Sequence, residues 1–457
     1  MRPDQTVIFA AKPFRMIRSV FFLLVLVATA PLWGQSENTL HFQRHLFQSS
    51  HTNPAFRPAE RLVVGLGGIA GGLHFRGPSF ADIIQEEDDR KILDVDFVIS
   101  QMERRNLLRE DLSVETIGAA LRTDDWTFSL GHRIRSEGFF EYPKTLAQVV
   151  FRGNAQFIGE TVDLSTNFQI SSYHEFYVGA AYEFGGLTIG ARAKYLNGIA
   201  YLKTVRNDLL LTTSDDAYQL TLDTDYLIQS AGLLDYRSID DFDFNFGFQL
   251  DDFSTFFSNN GGYAFDLGAQ YELNNLTLAL SVTDLGGRIE WSEQVENLIS
   301  RRRIQYDGLD ISEALTGGEA DFAGALDTLE TLLDFEVDEE IFSSRLNSRS
   351  YFSILHEISE AWSVGGLLSL QERQLTDNEF GFTLAARYRP LEQLHLGLTY
   401  ASRRNDFDNL GLQTTLTLGP AQLYAMTDDL LGIVDYRNRK GANFRVGLNL
   451  VFGKPEL

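Results

Sequence analysis

Apolar and polar residues alternate with a period of two along most of the chain beyond residue 60. In residues 443–452 one parity is polar or small and the other is apolar, namely Phe444, Val446, Leu448, Leu450 and Phe452. Successive side chains of a β-strand point to opposite faces, so this pattern predicts a strand with one apolar face and one polar face. About 14 to 16 segments repeat the pattern. The chain is therefore predicted to be all-β.

Turn signals divide these segments into short and long connections. Gly185-Gly186 and Asn274-Asn275 each stand between two alternating runs, as in tight β-hairpins. Other short connections fall at 359–361, 390–392 and 419–420, whereas long polar connections fall at 137–171, 227–260, 285–345 and 427–440. Short turns at one end and long loops at the other are typical of outer-membrane β-barrels.

The polar face of the strands carries four cationic side chains, Arg192, Lys194, Arg387 and Arg445. At the middle of a bilayer, an arginine or lysine facing lipid costs about 2–4 kcal/mol, whereas on the inner wall of a barrel it stays hydrated. In a membrane, the four cations are therefore predicted to face the lumen and the aliphatic parity to face lipid. A soluble β-sandwich or propeller would exchange the two faces, and alternation alone does not separate these architectures.

Aromatic residues favour the membrane barrel. They lie where strands meet the short turns, at Trp126, Phe184, Tyr271, Trp362, Tyr388 and Phe452. Such residues form girdles at membrane interfaces. We predict a single transmembrane antiparallel β-barrel of about 14 strands, with about 12–16 allowed, that spans residues 61–457 and carries short helices in its external loops. A barrel of this width holds water, a plug or both.

Residues 1–34 have the composition of a secretory signal peptide. Basic residues precede the apolar run VFFLLVLVATA at 20–30, and cleavage is expected near the small residue Gly34. An N-terminal membrane anchor is the alternative, although a spanning helix requires about 20 apolar residues. We therefore predict export to the outer membrane of a Gram-negative cell.

Composition and short motifs limit the chemistry. The chain has 457 residues, no cysteine and a formal net charge of −24, so disulfides and thiolate metal sites are excluded and a nucleic-acid partner is disfavoured. GLGGIA at 65–70 resembles a dinucleotide-binding pattern, but no amphipathic helix follows, and we interpret these glycines as a bend or a small-residue wall. His41 and His45 lack a third ligand and are interpreted as a surface pair, so no metal or cofactor is predicted.

Three long connections carry further patterns. Residues 324–335 place leucines at helical spacing, which predicts a short amphipathic helix over the barrel mouth. The acidic runs 239–244 and 334–340 are predicted to be solvated, with divalent-ion bridging to lipopolysaccharide phosphates as an alternative. Thr427 or Asp428 is predicted to cap a one-turn helix. Its apolar residues either pack on neighbouring loops or form the surface where a hydrophobic compound enters, namely Leu430, Leu431, Ile433 and Val434.

Several stretches resemble an uncharacterised Bacteroidetes outer-membrane barrel family. They are NPAF at 53–56, ARAKYLNGIA at 191–200, NNGGYAFDLGAQY at 259–271, SVTDLG at 281–286 and the ending DDLLG…NFRVGLNLVFG. That family is similar to the FadL long-chain fatty acid transporter superfamily, in which an N-terminal hatch with an NPA element plugs a barrel of about fourteen strands. The resemblance implies that residues 35–60 form a plug that carries Asn53, Pro54 and Ala55.

The sequence thus predicts a monomeric outer-membrane barrel that passively transports small hydrophobic compounds. The alternatives are an interaction barrel that serves a protein secretion system and a structural outer-membrane protein. A lipid-modifying enzyme would need serine, histidine and an acid brought together from distant strands, and no enzyme or catalytic residue is predicted. The expected partners are outer-membrane lipid, lipopolysaccharide and a hydrophobic small molecule.

Overall fold

The fold is one closed antiparallel β-sheet. The computed structural model describes residues 37–87, 90–92, 94–215, 219–232, 234–236, 242–244, 257–306, 333–373, 378–403, 406–435 and 437–453. Fourteen strands form the ring: β1 (Leu62–Arg76), β2 (Arg105–Arg122), β3 (Trp126–Pro143), β4 (Asn167–Phe184), β5 (Leu187–Thr213), β6 (Gly261–Leu273), β7 (Leu276–Trp291), β8 (Arg349–Glu357), β9 (Trp362–Gln371), β10 (Glu379–Leu391), β11 (Leu394–Arg403), β12 (Asp406–Leu418), β13 (Ala421–Thr427) and β14 (Gly441–Phe452). Strands neighbouring in the chain pair with each other, and β1 also pairs with β14, which closes the ring. The predicted barrel of about 14 strands is confirmed.

The tight turns all lie at one end of the barrel. They connect β2 to β3, β4 to β5, β6 to β7, β8 to β9, β10 to β11 and β12 to β13. In the left-handed region, Gly186 has φ of 84° and Asn274 has φ of 53°, which explains why glycine and asparagine occupy these turns. The turn expected at 390–392 falls instead at 392–393, because β10 continues through Pro390 after a register irregularity.

The outer wall is apolar and the inner wall is polar. Val178, Ile189 and Leu280 are 63%, 50% and 57% exposed, whereas the adjacent Thr188 and Ser281 are buried on the opposite face. This is the polarity of a barrel whose outer face meets lipid. No helix among the described residues has the length and apolar character needed to cross a membrane.

Aromatic pairs surround the tight-turn end. The rings of Trp126 and Tyr182 lie 4.7 Å apart on neighbouring strands, and those of Trp362 and Tyr388 lie 4.4 Å apart. All four side chains are exposed on the outer wall. They occupy the level at which barrel aromatics meet the lipid headgroups.

The apolar outer wall leads to a stability prediction. Leu280 lies four residues above the first residue of β7, which places it roughly 10 Å from the tight-turn rim and near the middle of a band about 25 Å tall. Leu280→Arg is expected to lower the free energy of unfolding in bilayers by about 2–4 kcal/mol. The control is Leu418→Arg at the rim, which should cost about 0–1 kcal/mol. Equal losses in a urea titration from lipid vesicles would contradict this depth assignment.

The external end carries more secondary structure than expected. Five further strands join the sheet there: Thr161–Asp163, Leu220–Ala231, Val295–Tyr306, Glu336–Asp338 and Phe342–Arg345. The expectation that 227–260 and 285–345 are merely polar loops is therefore wrong in part. The upper half of β5 pairs with Leu220–Ala231, which pairs with Val295–Tyr306, so the barrel wall extends beyond the ring.

Short helices lie in the external connections, as predicted. After α1 (Asn38–His41), which precedes the first strand, they are α2 (Phe80–Ile83), α3 (Val95–Gln101), α4 (Lys144–Arg152) and α5 (Leu430–Val434), with a 3-10 turn at Ala155–Phe157. Two small hairpins accompany them, pairing Gln85–Glu87 with Arg90–Ile92 and Leu234–Tyr236 with Phe242–Phe244. The expected signal peptide at 1–34 lies outside the described residues, and so does most of the helix expected at 324–335.

Candidate functional site

The interior of the barrel holds residues 37–60, which we call the lumen segment. It begins with α1 (Asn38–His41), continues through a 3-10 turn (Phe47–His51), and is buried throughout 37–43 and 46–56. Its hydrogen-bond partners are distributed around the ring, at Arg192, Ala269, Leu280, Ser281, Ser353, Arg387, Thr399, Asp428 and Asn449. A short segment that touches strands on every side lies inside the barrel.

Asn53, Pro54 and Ala55 form a hydrogen-bonded turn against β6 and β7. The Asn53 side chain accepts from the backbone N–H of Ala55 at 2.9 Å, which fixes the turn locally. Its amide nitrogen donates to the carbonyl oxygens of Ala269 and Leu280, at 3.3 and 3.4 Å. Asn53 is therefore buried with its polar groups paired, which tethers the turn to two adjacent strands.

Inward-facing glycines make room for the lumen segment. If any of these glycines carried a β-carbon, that atom would lie within 4 Å of an atom of the lumen segment. The glycines are Gly65, Gly118, Gly190, Gly268, Gly365, Gly397 and Gly411. The closest approaches are at Gly190 and Gly268, neighbours across β5 and β6, where the backbone of Pro54 and the side chain of Asn53 press on the wall. The wall is thus shaped for this segment.

Two of the predicted lumen cations enter a buried ionic network. Lys194 lies 2.7 Å from both Asp266 and Asp284, and Arg192 donates to His51 Nδ1 at 3.0 Å and to Ser50 at 2.8 Å. Arg192 and Lys194 are only 2% and 4% exposed, so the expectation that they stay hydrated is wrong. The lumen segment and the facing carboxylates replace the water.

The other two predicted cations bind the lumen segment directly. Arg387 donates to the carbonyl oxygen of Phe42 at 2.9 Å, and Arg445 donates to Glu37 at 3.3 Å. Glu37 also accepts from Arg349 and Tyr351, each at 3.2 Å. Although burial acts to raise the pKa of Glu37, the nearby arginines hold it at about 2. The start of the segment is therefore fastened by a carboxylate that stays ionised.

Sequence reasoning missed the acidic partners of this network. Glu175 and Asp266 stand on the inward parity of β4 and β6. Asp284 of β7 shares the parity of the outward Leu280 and is buried at a register irregularity, where its φ is 59°. Glu175 lies 3.2 Å from Arg135, which also contacts Asp284 at 3.0 Å. For Glu175 and Asp266 the available signal was a carboxylate on the inward parity of a strand whose other parity is apolar, whereas Asp284 gave no such signal.

His41 and His51 are buried and His45 is half-buried inside the barrel, so interpreting His41 and His45 as a surface pair is wrong. His41 Nε2 lies 2.8 Å from the Ser353 hydroxyl, and burial lowers the pKa of His41 to about 3. His45 stacks on His395 with ring centres 4.0 Å apart, and burial holds the pKa values of both His45 and His51 well below the usual range. The described residues contain no cluster of three or more metal-binding side chains.

Helix α5 presents apolar side chains at the external end. Leu430 and Leu431 are half-buried, while Ile433 and Val434 are 46% and 73% exposed. Asp429 caps the helix by accepting from the Gly432 N–H at 2.8 Å, so the expected caps at Thr427 and Asp428 are wrong.

Asp428 has a different role in the structure. Its carboxylate accepts from the backbone N–H of Thr39 at 2.7 Å, and its own N–H donates to Asn443. A side chain already engaged with the lumen segment does not cap the helix. Asp428 thereby links the external loop that contains α5 to the segment inside the barrel.

A groove interrupts the outer wall at the glycine-rich part of β1. It encloses about 810 Å³ and is lined mainly by β1, β2, β13 and β14, including Leu66, Ile69, Thr116, Leu423 and Val446. Pairing slips there in two places, between Gly65 and Gly67 on β1 and between Glu115 and Ile117 on β2. Residues 65–70 are thus a bulged, small-residue wall.

The inner side of this groove faces the lumen segment. Its floor includes Glu115 and Tyr424, which are 5% and 4% exposed. Tyr424 packs with Leu46 of the lumen segment, and Glu115 lies 3.8 Å from His51. One layer of side chains therefore separates the groove from the lumen segment.

Several solved structures are similar to the chain at low sequence identity. The chain is similar to the toluene transporter TbuX of Ralstonia pickettii, with 9% identity, a TM-score of 0.40, and coverage of 88% of this chain and 92% of that chain. It is also similar to the Pseudomonas putida toluene transporter TodX, with 10% identity, a TM-score of 0.40, and coverage of 88% of this chain and 93% of that chain. A third similar structure is that of a Pseudomonas aeruginosa FadL homologue, with 11% identity, a TM-score of 0.41, and coverage of 93% of this chain and 100% of that chain.

None of the curated proteins matches the chain. A family profile matches residues 54–428, which begin at Pro54 and include strands β1 to β13. The resemblance to a barrel family without a known function is thereby confirmed. The chain belongs to the Family of unknown function (DUF5723).

Proposed function

We propose that this protein is an outer-membrane channel through which small hydrophobic compounds cross passively, with the lumen segment as its plug. Residues 1–34 serve as the signal peptide for export, and the barrel works as a monomer. Asn53, Pro54 and Ala55 seat the plug, while Arg387 and Arg445 hold it from the lumen wall.

The burial of the lumen segment is the observation that carries this proposal. The segment blocks the lumen but contributes no strand to the ring of β1–β14. It is held by side-chain hydrogen bonds, by the ion pairs of Glu37 and by contacts with inward glycines. It therefore leaves without breaking any strand pairing, and the barrel remains closed while the lumen opens.

Apolar surfaces on both sides of the plug support a hydrophobic cargo. The four apolar residues of α5 collect the compound at the external end, and Ile433 and Val434 are the most exposed of them. The groove beside β1 offers an apolar exit that backs onto the lumen segment through Tyr424. Displacement of the plug connects the two surfaces.

A disulfide that fixes the plug tests this function. The hydroxyl oxygens of Thr39 and Thr399 lie 2.8 Å apart, and the chain has no other cysteine to compete. The double variant Thr39→Cys/Thr399→Cys is expected to lose uptake of radiolabelled toluene and dodecanoic acid when oxidised, down to the level of a deletion strain. Reduction should restore uptake, because the plug is free again.

Thr399→Cys alone is the matched control and should transport equally under both conditions. Mass spectrometry of the oxidised sample verifies that the disulfide has formed. If the double variant takes up the compounds equally in its oxidised and reduced forms, although the disulfide is verified, the plug does not move. If deletion of the gene changes the uptake of no hydrophobic solute, the channel function itself is wrong.

A further inference from the structure

Three polar side chains form a hydrogen-bonded chain on the lipid-facing wall. The hydroxyl of Thr116 lies 2.7 Å from His132 Nδ1, and His132 Nε2 lies 3.0 Å from His174 Nδ1. His132 shares its parity with Leu130, which is 55% exposed, so it belongs to the outer wall. It lies six residues above Trp126, roughly 15 Å from the tight-turn rim and inside the apolar band.

Polar groups at this depth are expensive unless they are paired. Within hydrocarbon no water satisfies a hydroxyl or an imidazole. His174 is covered by the ring of Phe257, 5.2 Å away, whereas Thr116 remains exposed. The chain of hydrogen bonds therefore ends at a hydroxyl that faces the lipid phase.

Thr116 also occupies an irregular position in the sheet. It is the extra residue in the slip between Glu115 and Ile117, and the registers give it no partner residue in β1 or β3. The bulge turns its side chain outward next to Ile117, which is 53% exposed. Bulges re-aim side chains and are frequent beside functional sites.

The same hydroxyl lies at the edge of the groove. Thr116 lines the space of about 810 Å³ together with apolar residues, among them Leu66, Ile69, Leu423, Val446 and Leu448. A few hydrogen-bonding groups in a mainly apolar groove are the pattern of a site for an amphipathic small molecule. The groove opens on the outer wall, so a molecule bound there exchanges with the lipid phase.

We propose that Thr116 and this groove bind a lipid-dissolved alcohol or phenol, with the ligand hydroxyl on Thr116 and the apolar part in the groove. The hydrogen-bonding sites that remain on the Thr116 hydroxyl determine the class of ligand. Thr116 either donates to His132 Nδ1, or accepts from it and donates to the carbonyl oxygen of His132 at 3.3 Å, and in both cases its oxygen keeps an acceptor site. A ligand hydroxyl donates to that site with either tautomer of His132, whereas a hydrocarbon has no donor to offer.

This inference rests on the proposed function, because it names the class of compound that the channel carries. It is tested by photolabelling of the full chain in lipid nanodiscs. The probes are a twelve-carbon primary alcohol and a twelve-carbon alkane that carry the same diazirine. Mass spectrometry should find the alcohol on peptides that contain residues 66–69, 114–117 and 423–425 at about fivefold the yield of the alkane.

Thr116→Val keeps the shape and removes the hydroxyl, so it should reduce alcohol labelling to the alkane level. The matched control is Thr414→Val, a groove threonine on β12, which should keep the preference. Unchanged heat-modifiable migration verifies that both variants fold. Equal labelling by the two probes, or a preference that survives Thr116→Val, would overturn the inference.

The two proposals fail separately. If the alcohol labels the groove selectively but deletion of the gene changes the uptake of no hydrophobic solute, the site stands and the channel function is wrong. If the disulfide blocks uptake but labelling shows no preference, the channel stands and the alcohol site is wrong.

Discussion

Replacing Gly268 by valine is expected to unseat the lumen segment. A β-carbon there would lie 2.9 Å from Pro54 Cδ and inside contact distance of the Asn53 side chain, which is itself bound to β6 and β7. Overpacking of this kind costs about 1–3 kcal/mol, so the balance between seated and released segment should shift by about fivefold to hundredfold. Trypsin cleavage after Arg44 should accelerate by that factor, because release exposes the enclosed backbone.

Gly366→Val is the matched control for this substitution. The nearest atom to a β-carbon at Gly366 is 4.0 Å away, so the added methyl groups meet open space on β9. Gly190→Val should behave like Gly268→Val, since its β-carbon would lie 2.5 Å from the backbone nitrogen of Ala55. If trypsin cleaves the Gly268→Val, Gly190→Val and Gly366→Val variants at the same rate, the inward-facing glycines do not hold the lumen segment in place.

Acidification should release the lumen segment. Burial lowers the pKa of His41 to about 3 and that of His51 well below its usual value near 6.5. At a pH between the pKa of a histidine in the seated segment and its pKa in the released segment, the released segment binds more protons. The stability of the seated state therefore rises with pH, and it is lost as the pH falls below 6.5. At pH 5 the neutral state of His41 destabilises the seated segment by about 2 kcal/mol, and His51 acts in the same direction.

Several charged groups modify this response. Glu37 is held ionised with a pKa of about 2, so its contribution is present above pH 4.5 and is lost as pH falls from there towards 2. Glu115, 3.8 Å from His51, would stabilise its protonated form, whereas Arg192 donates to His51 Nδ1 and opposes protonation there. The main transition is therefore expected between pH 6.5 and 5.

Conductance across planar bilayers measures this release. Openings should become more frequent from pH 7.5 to pH 5, because a released segment leaves an open lumen. The triple variant His41→Gln/His45→Gln/His51→Gln should remove most of that increase and leave mainly the Glu37 response below pH 4.5. A conductance that is identical at pH 7.5 and pH 5 in the unmodified protein would contradict the prediction.

Much of the barrel was predictable because strand periodicity is a local signal. The alternation at 443–452 and the turns at 185–186 and 274–275 identify strands and their hairpins. The external sheet was less predictable, since Val295–Tyr306 pairs with Leu220–Ala231 across more than sixty residues. No local pattern in either strand specifies such a distant partner.

The candidate site shows the same division. Asn53 was singled out only through a family resemblance, and its bonds to Ala269 and Leu280 join positions more than two hundred residues apart. The polar chain Thr116–His132–His174 had no signal, because an outward polar residue looks like any polar residue in a half-buried strand. Pairing across three strands brings these groups together.

By itself, the sequence determined the all-β class, the approximate strand number and which parity is apolar, because these depend on neighbouring residues. The tertiary structure alone decided that the inward cations are buried with Asp266, Asp284 and Glu37 rather than hydrated. It also decided that seven glycines on different strands surround one segment and that bulges in β1 and β2 open a groove at the same level. These features depend on ring closure, which sets residues distant in the chain side by side.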